Sequence, residues 1–226
     1  MENITDEQAI KLTKDAFDLI KQSKTVSELK AIPDIINIPI KDRMKTDGYP
    51  KIEFSLSICD IHSLINNKII DDELNFTHDV TKRLTDPLSK LLYAIAWKNG
   101  DLSKVKHIIK GVIESKSCEN NYNKALVFYQ FGKFLTKTVG QPIIDQHVIR
   151  AFAVYKSINS NEKINELREI ETLNKKHKGL ISDYKDWLTS DFITKELKMI
   201  EDYSFYIDEL LFAIGKTIKI KKHEKK

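Results

Sequence analysis

The chain has 226 residues, of which 41% are hydrophobic and 31% charged, with a formal net charge of +4. That is enough apolar side chain to bury a core, which excludes a disordered polyelectrolyte, and 7 Gly and 5 Pro are too few turn residues for a protein of many short strands. No apolar run reaches the roughly 18–20 residues that span a bilayer. The polar, acidic start Met1–Glu7 resembles neither a secretory signal nor a transit peptide, so the expected location is cytoplasmic. Cys59 and Cys118 lack metal-ligand or CxxC spacing and are expected to be reduced thiols.

Helical periodicity dominates from the start. Thr5-Asp6-Glu7-Gln8 has the form of a capping box and predicts a helix to about Ser23, with Ala9, Leu12, Ala16, Leu19 and Ile20 on its apolar face. Thr25 or Ser27 caps a short helix through Ile32. Pro33 and Pro39 then bracket an irregular stretch, and Asp47-Gly48-Tyr49-Pro50 predicts a turn. The spacing of Phe54, Ile58, Ile61 and Ile65 predicts a helix over 53–70. Asp86-Pro87 predicts a sharp helix start, with Leu88, Leu91, Leu92, Ile95 and Ala96 as its buried stripe. Asn99-Gly100 ends it and Asp101 caps the next helix, which carries Val105, Ile108, Ile109 and Val112. A polar break over Ser115–Asn121 precedes an apolar helix at 122–136, and Gly140-Gln141-Pro142 breaks the chain again. Asp145 caps a helix with Val148, Ile149, Phe152 and Tyr155, and helices at 160–174, 180–188 and 194–215 complete the chain. The expectation is an all-α domain over 1–215, with a lobe junction, if any, at 33–50, and a flexible basic tail over 216–226.

Charge is uneven. The last eleven residues hold six lysines and one glutamate, and without them 31 basic residues face 32 acidic ones. Inside the body, Lys98 to Lys137 carries eight lysines against Asp101, Glu114 and Glu119. That density could hold a phosphate backbone or serve as a solvated helix face. No phosphate-binding glycine loop, zinc-protease or serine-hydrolase motif occurs. Asp145-x-His147 provides only two ligands, too few for a metal site, and neither metal nor cofactor is expected.

Over Asn121–Tyr155 the sequence resembles the helix-hairpin-helix DNA glycosylase superfamily. Ile144-Asp145-Gln146-His147-Val148-Ile149-Arg150 is similar to that family's Val-Asp-Thr-His-Val-x-Arg signature, and Lys124 lies 21 positions before Asp145, near where the family's lysine falls. The resemblance implies two closely packed helical lobes and base excision from damaged double-stranded DNA. Lys124 would be the nucleophile and Asp145 the carboxylate that stabilises the cationic sugar. Lys116, Asn120, Asn121, His147 and Arg150 would be the nucleic-acid contacts, and the protein would be nucleoid-associated. A lysine nucleophile must be neutral, which burial among Val127, Phe128 and Phe131 would favour. The family's glycine-rich hairpin is not reproduced: Ser115–Asn121 contains no glycine. Two further readings therefore stand beside the first, a non-catalytic nucleic-acid-binding descendant and a helical protein-interaction module.

Overall fold

Side-chain caps decide where several of the elements begin. The computed structural model describes residues 4–45, 47–116, 122–158, 160 and 163–220. Among them the chain forms twelve α-helices and no β-strand: α1 Asp6–Gln22, α2 Val26–Ile35, α3 Ile58–Asn66, α4 Val80–Arg83, α5 Pro87–Lys98, α6 Leu102–Ile113, α7 Leu126–Leu135, α8 Gln146–Lys156, α9 Ile164–Arg168, α10 Lys178–Thr189, α11 Lys195–Lys198 and α12 Tyr203–Thr217. The protein is all-α, and no described helix is long and apolar enough to cross a membrane. Met1–Ile52 with Pro142–Lys226 make one compact unit, the terminal unit, and Glu53–Gln141 make a second, the inserted unit. One boundary falls just past the irregular 33–50 stretch, and the other at the Gly140-Gln141-Pro142 break.

In the terminal unit, Thr5 and Thr25 close the capping boxes of α1 and α2 with Gln8 and Glu28. The centre of the unit is α8, buried continuously from Val148 to Val154 and packed by α1, α9, α10 and α12. Phe17 of α1 stacks on Tyr155 at 3.8 Å, and Phe152, Tyr184, Trp187 and Phe192 extend that aromatic cluster. Gly215 brings α12 into backbone contact with α8, since a Cβ there would lie 1.9 Å from the His147 carbonyl oxygen. The expected 194–215 helix is two elements, α11 and α12. Asp202 between them takes a left-handed φ of 55°, with its carboxylate 3.2 Å from the Lys51 ammonium. The expected 160–174 helix shortens to α9, whose Arg168 is buried and donates to the carbonyls of Ile218 and Ile4 at 2.8 and 2.7 Å and to Asp6. The start of the segment expected to be a basic tail is folded: Lys216 and Thr217 are the last turn of α12 and Ile218 is buried, while 221–226 lie outside the described residues.

The inserted unit is held by the crossing of α6 and α7. A Cβ on Gly111 would lie 2.0 Å from the Tyr129 carbonyl oxygen, and one on Gly132 2.0 Å from that of Ile108, so the two backbones touch. Ile61, Ile70, Ile109 and Val112 form the core beneath. The expected 53–70 helix is corrected to Ile58–Asn66. Ser57 and Asp60 form a capping box that starts the helix late, and Leu56 instead donates its amide to the Leu135 carbonyl at 2.8 Å. Asp101 pairs with Lys104 and makes no side-chain cap on α6, contrary to expectation. The expected 122–136 helix begins only at Leu126, after Ala125 with a left-handed φ of 46°.

The largest departure concerns α5. Asp86 caps it as predicted, accepting from the Ser89 amide at 2.8 Å, but none of its residues is buried. Ser89, Tyr93 and Ala96 face the unit, with the Tyr93 ring edge-on to Phe76. Of the stripe expected to be buried, Ala96 alone turns towards the unit, and Leu88, Leu91, Leu92 and Ile95 are 49–65% exposed.

Candidate functional site

The sequence-predicted residues divide between the units. Asp145, His147 and Arg150 stand at the head of α8 in the terminal unit, and Lys116 and Lys124 belong to the inserted unit. Asn120 and Asn121 lie outside the described residues.

Asp145 is the N-cap of α8. One carboxylate oxygen accepts from the amides of His147 and Val148 at 2.7 and 2.9 Å, the donors that a helix start leaves unpaired. Arg150, one turn on, has no exposed surface. Its guanidinium donates to the Gly215 carbonyl and to His147 Nδ1, both at 2.7 Å, and to the Ile170 carbonyl. A guanidinium can only donate, so His147 Nδ1 must carry its lone pair. Burial, with the Arg150 charge adding to it, pulls the His147 imidazole below its ordinary value, against Asp145, which pulls it up. Burial also lowers Arg150 to about 10, which leaves it charged at neutral pH. The expected nucleic-acid contact by Arg150 is thus replaced by a structural clamp joining α8 to α12 and to the chain at Ile170. Its surroundings leave it no face for a phosphate.

Lys124 is exposed just before α7, so the burial that would favour a neutral amine is not there. Its charge reaches His107, which burial first and then Lys106 and Lys124 hold below the ordinary imidazole value. His107 Nδ1 meets the Tyr122 hydroxyl, Tyr122 stacks on Tyr129 at 4.8 Å, and the Tyr129 hydroxyl donates to Glu114 at 2.7 Å. Lys110 pairs with Glu114 at 2.9 Å. Tyr122 is half-buried and Tyr129 buried, which makes this row the polar seam of the α6–α7 crossing. Lys116 is exposed after the end of α6.

A second buried centre went unforeseen. Asp208 of α12 is enclosed, accepting from Tyr184 Oη and from the Ile143 amide at 2.7 Å, and burial raises its carboxyl well above the usual range. An acidic residue between Ile207 and Leu211, on the apolar face of its helix, is the signal that could have marked it. Among the described residues no group of three or more His, Cys, Asp or Glu is placed to hold a metal ion.

What the described surface does offer is α5. At 3.6 residues per turn, Leu88, Leu91, Leu92 and Ile95 fall within about 100° of arc, and the helix uses its smaller, more polar side to attach to the unit. Four exposed aliphatic side chains in one strip amount to roughly 400 Å² of apolar surface, the size of the largest patch on a typical soluble monomer, which is often functional. Comparison with known proteins finds no family model, no curated protein and no solved structure that matches the chain.

Proposed function

We propose that the protein is a helical interaction module and that α5 is its docking element. The observation that carries this is the exposed Leu88-Leu91-Leu92-Ile95 stripe on a well-capped helix anchored through its neighbouring Ser89-Tyr93-Ala96 side. Helix-in-groove recognition uses this i, i+3, i+4, i+7 spacing. Photo-crosslinking tests it: p-benzoylphenylalanine at Leu91 should give discrete protein adducts in expressing cells, and the same group at the exposed Lys176 should not. Absence of adducts at Leu91, or the same adducts from both positions, removes the proposal.

A second reading, base excision on double-stranded DNA, is favoured by one observation: Asp145 heads its helix with its carboxylate held by two amides, as a stabilising anion requires. It predicts tighter binding to a duplex with an abasic-site analogue than to an undamaged one by fluorescence anisotropy. It also predicts a loss of at least about a hundredfold in base release for Lys124→Ala and Asp145→Asn. Equal release by folded variants and parent ends that reading.

A further inference from the structure

Resting on the interaction reading, we infer that the occupant of the α5 stripe is a second copy of α5, paired antiparallel about a two-fold axis near Leu91 and Leu92. Three features of the helix point to a self-complementary contact. The stripe carries no charged or polar side chain, so it asks for an equally apolar strip, and its own spacing is that of a helix-pairing seam. The two ends carry opposite charges, Asp86 at the cap and Lys98 in the last turn. An antiparallel mate sets each Lys98 beside the Asp86 end of the other copy and aligns the helix dipoles favourably, whereas a parallel mate sets two Lys98 ammoniums side by side.

The area also fits. An apolar strip of roughly 400 Å², forming about two-thirds of a homodimer interface, implies about 600 Å² per copy and about 1,200 Å² in all, the lower edge of a specific interface. An interface of that size belongs to the weak, reversible class, so association depends on concentration. Because the stripe is exposed in one copy, substitutions there leave the fold intact and act on association.

Sedimentation velocity over a concentration series is the test. The parent mass should rise from 26.2 kDa towards twice that value, and Leu91→Lys should stay monomeric at every concentration with unchanged helicity and melting. Disulfide trapping in a Cys59→Ser, Cys118→Ser background fixes the direction. Leu92→Cys, near the axis, should link two copies efficiently, and Leu88→Cys, about 10 Å from its symmetry mate along the axis, should not. A parent that stays monomeric at several hundred micromolar, or a dimer that survives Leu91→Lys, overturns the self-pairing; equal trapping at Leu88→Cys and Leu92→Cys overturns the antiparallel arrangement. Photo-adducts from Leu91 to a different protein, with a monomeric purified chain, would overturn self-pairing and leave the interaction reading standing, whereas loss of all adducts removes both.

Discussion

Arg150→Met is expected to destabilise the terminal unit by about 3–4 kcal/mol, because it leaves two buried carbonyls without their charged donor while nearly conserving volume. The carbonyls belong to Ile170 and Gly215, so the loss loosens α12 and the segment after α9 together. The Arg150 Nε is buried without an acceptor, so its removal carries no cost and the effect isolates the two terminal nitrogens. Arg150→Lys should recover part of the stability, since an ammonium can serve one carbonyl but lacks the fork that reaches both. The two tryptophans permit a clean readout. Trp97 is exposed on α5 and Trp187 lies in the aromatic cluster of the terminal unit. In a Trp97→Phe background the emission of Trp187 reports that unit alone, and a fall in Tm of roughly 10 °C is expected for Arg150→Met. An unchanged transition would mean that the buried guanidinium is not the clamp described.

The same residue shows where sequence reading stops. Helix starts that depend on neighbours three positions away were legible: Thr5, Thr25, Asp86 and Asp145 all cap as their local pattern predicts. Ser57-x-x-Asp60 was equally local, but the apolar spacing of Phe54 and Ile58 continued through it and the periodicity prevailed over the cap. The break between α11 and α12 places Asp202 beside Lys51, some 150 positions earlier, and no local signal carries that. Arg150 shares a signature with a nucleic-acid contact because the sequence does not show Gly215 and Ile170 arriving around it. Periodicity marks the α5 stripe as apolar without saying whether the surface that covers it belongs to the same chain. Lys124 met its spacing, but spacing carries no information on burial, and the side chain is exposed.

Gly132→Ala is expected to unfold or widely loosen the inserted unit, by at least about 3 kcal/mol, because the new methyl group meets a backbone oxygen that no rotamer change can move aside. The added carbon would sit 2.0 Å from the Ile108 carbonyl oxygen and 3.0 Å from the Gly111 Cα, so α6 and α7 must separate along their crossing. Separation would strip the cover from Ile109 and Val112 and from the Tyr129–Glu114 seam. Gly179→Ala is the matched control. Nothing lies within 4 Å of its added carbon in the first turns of α10, and it should stabilise by about 0.5–1 kcal/mol through helix propensity. Hydrogen exchange reads the outcome unit by unit: Gly132→Ala should abolish amide protection in α6 and α7, with Trp187 emission and α8 protection retained. Because α5 packs on α6, the same variant should also weaken self-association through the Leu91 stripe without altering a single residue in it. Full protection of α6 in Gly132→Ala would mean that the crossing tolerates a side chain, and self-association through α5 should then match the parent.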